Sequence, residues 1–162
     1  MAFKSAPRPA SVPLLLAVYL GALIGGIILL YILIYVIEDV LKTPFPNNNA
    51  MGFILIAVSA MTTGTFWFNR EQAAPSSARK WGLALVLSIA TFVLQGGFLY
   101  LIASAAGEVQ QLAREFGGQD QMLIIAVFGV LALVELLMIR ASIWSGVRSA
   151  VKQAARKAAK AG

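Results

Sequence analysis

One acidic residue stands deep in an apolar run. Glu135 lies in the stretch 122–144, where the only other charged residue is Arg140, near the end. It sits about two residues past the midpoint, roughly 3 Å along a helix axis. A carboxylate at such depth in a bilayer costs about 2.5–3.5 kcal/mol on insertion scales. It must therefore face protein or water, or carry a proton. The chemistry this offers is a proton relay or an ion site. The competing reading, which we favour, is a hydrogen-bonded strut to another helix or to another subunit. Candidate partners at matching depth are Ser59, Thr62 and Thr63 in one segment and Gln95 in another. Ser59 shares a helix face with Thr62 (i, i+3) and with Thr63 (i, i+4). Interhelical bonds of this kind contribute about 0.6–2 kcal/mol. Arg140 is a poor partner: five residues of helix turn it roughly 140° away. Its long stem is expected to carry the charge toward the headgroups.

A second pattern is basic. Arg148, Lys152, Arg156 and Lys160 recur every fourth residue, with Lys157 beside them, on an Ala-rich tail. That spacing predicts one stripe on a strongly helical segment. The segment either continues the last apolar helix or bends at Gly146 onto the membrane. Its apolar face is mostly Ala, so attraction to anionic lipid, about 1 kcal/mol per basic residue, dominates any insertion. An acidic protein partner is the alternative. No aromatic residues interleave with the charges, which argues against nucleic acid.

Glycines make a third pattern. Gly21 and Gly25, followed by Gly26, form a GxxxG element, and Gly96 and Gly97 follow Gln95 in mid-helix. Small residues let helix backbones approach closely. Packing within the chain is the first expectation, contact with a second copy the next.

Other chemistry is excluded by what the chain lacks. It contains neither Cys nor His. Thiolate and imidazole metal sites, disulfides and nucleophile pairs built on His are thereby removed. No phosphate loop, dinucleotide fingerprint or pair of catalytic carboxylates occurs. We expect no enzyme and no metal. No cofactor ligand set exists; contact with a lipid, quinone or carotenoid needs no such set and stays open.

The elements that must position these residues follow from hydropathy. Of 162 residues, 59% are apolar and only 12% charged, against about 25% charged in soluble domains. The apolar residues fall in four runs, at about 14–37, 50–68, 81–103 and 122–144, each long enough to cross a core of about 30 Å. The first is 24 residues long, too long for a secretory h-region of roughly 7–15. Between runs one and two, KTPFPNNN at 42–49 breaks the helix with two prolines and three asparagines. The 69–80 segment is polar. In 107–121, Val109, Leu112, Ala113 and Phe116 predict a short amphipathic helix on the membrane surface. The expected fold is thus all-α: a polytopic membrane domain over 1–144 and a basic tail over 145–162.

Charge orients it. Lys4 and Arg8 precede helix 1, and Arg70, Arg79 and Lys80 fill the second loop, while the tail holds five basic residues. The first loop has only Lys42 beside Glu38 and Asp39; the third has only Arg114 beside Glu108, Glu115 and Asp120. By the positive-inside rule, four crossings with both ends cytoplasmic satisfy every segment. Phe66, Trp67 and Phe68, with Trp81 and Trp144, are expected as an aromatic belt at that interface. The halves share no motif, so an inverted-repeat transporter is not supported.

The stretch 60–95 places a small-residue helix, the aromatics, Phe68 and Arg70 as F-x-R, Pro75, basic residues and a third helix in succession. It resembles the ABZJ-type family of uncharacterised small four-helix bacterial inner-membrane proteins over about a quarter of the chain. An acidic residue associated with that family after the proline is replaced here by Ser76, Ser77 and Ala78. The resemblance implies a bacterial inner membrane and no known activity, and it carries no functional residue across.

The expected function is a non-enzymatic accessory or scaffold subunit of a larger inner-membrane complex, packing against partner membrane helices. The alternative is a small oligomeric transporter or channel using Glu135 with Ser59, Thr62 and Gln95.

Overall fold

The computed structural model describes residues 8–44, 50–110, 114 and 121–161. The chain is all-α within them. Helix α1 spans Val12–Tyr35 and carries Pro13 in its first turn, where the missing N–H costs nothing. It runs into a π-helical turn at Val36–Val40, where the Leu41 N–H donates to the Val36 carbonyl at 3.0 Å. Lys42 then takes a positive φ of 53° and the helix stops. Helix α2 spans Ala50–Glu71 and ends at Gln72, again at positive φ. Helix α3 spans Ser77–Ala106, with Ser76 as N-cap and Gly107 as a left-handed C-cap at φ 74°. A residue without Cβ suits that last position.

Helix α4 spans Gln121–Ala161, 41 residues in one piece. The basic tail therefore continues the last apolar helix with no bend at Gly146. Gly146 serves packing instead. The amphipathic segment expected over 107–121 lies largely outside the described residues.

All four helices are long and apolar enough to cross a membrane. Their packing is uneven along their length. The core comprises Leu15, Tyr19 and Leu23 on α1, Ile56 to Phe68 on α2, Leu83 to Thr91 on α3, and Glu135 to Ala150 on α4. The i, i+4 spacing of Leu15, Tyr19 and Leu23 is a single helix stripe. Beyond this half, α1 past Leu23 and α4 before Glu135 bury no residue, and α3 past Thr91 buries only Ala103. The bundle is closed at the end that carries Arg8, Arg70, Arg79 and the start of the tail, and splayed at the other.

The tightest contact joins α2 and α4. A Cβ built on Gly64 would lie 2.5 Å from the Ile143 carbonyl oxygen, and one on Gly146 would run into the Met61 carbonyl. Thr65 Oγ1 bridges the same crossing, donating toward Met61 O at 3.1 Å and Gly146 O at 3.3 Å. Two backbones can come this close only where no side chain intervenes.

Candidate functional site

Glu135 lies at the inner edge of the packed half and is only 4% exposed. Its polar neighbours come from α1 and α3. The Gln95 side chain interacts with its carboxyl, and Tyr19 is within its electrostatic reach. Glu135 Oε1 has no hydrogen-bond partner. The Tyr19 hydroxyl meets Thr91 Oγ1 at 2.7 Å, and Thr91 Oγ1 donates to the Leu87 carbonyl at 2.8 Å. Ser88 is buried one turn nearer the closed end on α3.

Gln95, a partner expected from the sequence, neighbours Glu135 and is exposed. The α2 hydroxyls behave otherwise. Ser59 and Thr63 are buried, but Thr63 Oγ1 donates to Ser59 O at 2.8 Å. Thr62 faces outward and donates to Val58 O. Both threonines satisfy their own helix backbone rather than the carboxyl. Tyr19 is the residue that composition alone hides: an aromatic in an apolar run reads as core. Its spacing of four from Leu15 and Leu23 was the available signal.

Arg140 does not pair with Glu135. Its guanidinium stacks over Trp81 at 5.3 Å from the ring centroid and reaches Ser77 Oγ at 3.4 Å. The other two tryptophans are covered likewise, Trp67 by Arg79 at 5.1 Å and Trp144 by Arg148 at 5.0 Å. All three arginine–indole pairs lie at the closed end. The belt is only partly as expected, since Trp67 and Phe68 are buried in the core and do not line the surface. Trp81 and Trp144 are exposed.

At the same end Glu71 ties three segments together. Arg79 grips it with two nitrogens, at 2.8 and 2.9 Å, and the Ala10 N–H donates to it at 2.9 Å. The Arg8 N–H also donates to the Arg70 carbonyl at 3.3 Å. The segment before α1 is thereby docked on the α2–α3 turn. Glu71 lies past Phe68, the last apolar residue of α2, and outside the hydrocarbon span. The Arg79 guanidinium, helped by the Ala10 amide and opposed by burial, holds its carboxyl at about 2.

The glycines divide. Gly26 meets a Leu55 side-chain methyl at 2.9 Å from a built Cβ, whereas Gly21, Gly25, Gly96 and Gly97 have open space beside them. Close packing inside the chain is made by Gly64 and Gly146, which a search for paired glycines misses. Ala60 with Gly64 and Ser142 with Gly146 carry the small-xxx-small signal that would have found them. The basic residues Lys152, Arg156, Lys157 and Lys160 are exposed beyond the core, as is Arg148 at its edge. No cluster of metal-ligating side chains occurs among the described residues.

No protein-family model matches the chain, and neither a curated protein nor a solved structure is significantly similar to it.

Proposed function

We propose that the chain is a non-enzymatic accessory or scaffold subunit of a larger bacterial inner-membrane complex. The supporting observation is the splayed half. There α1, α3 and α4 leave large apolar side chains such as Ile28, Leu29, Val93, Leu101 and Val130 more than half exposed. Beside them Gly21 and Gly25 present a small-residue face with nothing against it. A flat small-residue face gains little from lipid but lets a partner helix approach closely. The closed half would then be the folding unit and the open half the docking surface. The positive-inside rule assigns the basic end, with both termini, to the cytoplasm. The tail stripe would hold anionic lipid there.

Purification from the native membrane in a mild detergent tests this. Stoichiometric recovery of one or more integral membrane partners is expected. A free monomer under conditions that keep other membrane complexes intact would overturn it.

A further inference from the structure

The burial of Glu135, with one carboxyl oxygen unpartnered and no basic group beside it among the described residues, points beyond a subunit role. A threonine hydroxyl has one proton. Thr91 Oγ1 lies 2.8 Å from the Leu87 carbonyl and 2.7 Å from the Tyr19 hydroxyl, so the two hydroxyls are satisfied without Glu135. A carboxylate can only accept, whereas a carboxylic acid has an O–H to donate. The Glu135 side chain has no basic group to balance a charge: among the described residues no ion pair reaches it, and Arg140 is turned to Trp81 and Ser77. Oε1 is buried and unpartnered. An uncompensated buried carboxylate is the most costly state available to it.

We propose that Glu135 holds a proton that it can exchange, and that with Tyr19, Thr91 and Gln95 it forms a proton-binding site within the membrane. Gln95, exposed on its outer side, bridges the site to the bilayer. The groups facing it are few. Helix α1 supplies Tyr19, and α3 supplies Ser88, Thr91 and Gln95. Helix α2 supplies no ionisable side chain between Ala50 and Phe68, and α4 itself supplies only the diverted Arg140.

The full chain in lipid is compared with Glu135→Gln, a neutral isostere, by infrared spectroscopy at about pH 7, where an exposed carboxyl is ionised. The expected result is a protonated-carboxyl C=O band that Glu135→Gln removes and Tyr19→Phe shifts. Absence of such a band overturns the proposal, and a band unmoved in Tyr19→Phe removes Tyr19 from the site. Exchange is read with N,N′-dicyclohexylcarbodiimide. The acid adds across one C=N bond: its oxygen joins the central carbon and its proton moves to nitrogen. Acyl migration from oxygen to nitrogen leaves a stable N-acylurea. Nothing leaves and no electron is transferred. One adduct on Glu135, none on the Arg79-paired Glu71, and none at position 135 in Glu135→Gln are expected. A band without an adduct marks a sealed structural proton and overturns the exchange.

Discussion

Gly146 of α4 rests directly on the Met61 carbonyl of α2, with no room for a side chain between them. One helix turn away the relation is mirrored, with Gly64 of α2 against the Ile143 carbonyl of α4. This reciprocal crossing is the tightest contact in the bundle and closes the half in which Glu135 is buried. Gly146→Ala and Gly64→Ala must push two backbones apart. Each is expected to destabilise the folded chain by about 1–3 kcal/mol, the usual cost of overpacking. Thermal unfolding in detergent reads it as a lowered midpoint.

Gly21→Leu and Gly25→Leu make the contrasting pair. Nothing lies within 4 Å of either added Cβ, so the unfolding midpoint of the isolated chain is expected to stay within the range of ordinary surface substitutions, about ±0.5 kcal/mol. Recovery of partner subunits in mild detergent should fall. An unchanged yield of partners with both variants would detach α1 from the docking surface.

Much of the fold was legible because a bilayer punishes the wrong residues so heavily. Four apolar runs, and breakers such as Pro44, give most helix ends to within a few residues, but the last helix runs on from the expected 144 to Ala161 because the Ala-rich tail is itself helical. What the runs lack is internal contrast. Within α1 nearly every side chain is apolar, so Tyr19, Leu15 and Leu23 cannot be told from lipid-facing neighbours by polarity. The site was half legible for the same reason. Glu135 and Gln95 announce themselves by polarity, whereas Tyr19 does not. Thr62 and Thr63 mislead because a hydroxyl can be satisfied by its own helix, which spacing does not reveal.

The Tyr19–Thr91 bond joins α1 to α3, two helices that otherwise touch little. Tyr19→Phe leaves Thr91 still bonded to Leu87 O, so a loss of about 0.5–1.5 kcal/mol is expected. Thr91→Val is expected to cost more, about 1–3 kcal/mol, because the Tyr19 hydroxyl is then buried without an acceptor. The double variant should cost less than the sum. Unfolding midpoints of the three variants complete the cycle, and strict additivity would mean that the two hydroxyls do not interact.

Sidedness is testable cleanly because the chain contains no Cys. Lys160→Cys places one thiol on the exposed tail, and Met122→Cys places one at the far end of the same helix, 86% exposed. With a membrane-impermeant thiol reagent on intact cells, position 122 should label and position 160 should label only after permeabilisation. The reverse pattern would invert the proposed orientation.

Glu71 should make docking of the segment before α1 sensitive to acid. Its folded value of about 2 lies below the ordinary 4.5, so the ionised form is the one the fold favours. The stabilisation is therefore complete above about pH 4.5 and is lost as pH falls toward 2. Protonation weakens both the Arg79 grip and the bond from the Ala10 N–H. Hydrogen exchange at the Ala10 amide, corrected for its intrinsic rate, should be slow near neutrality and accelerate through that window. Glu71→Gln keeps an acceptor oxygen for Ala10 but loses the charge that holds Arg79. It should exchange faster at neutral pH and show no acid transition. Protection in the native chain that is flat from neutrality to pH 2 would mean that Glu71 does not hold this segment down.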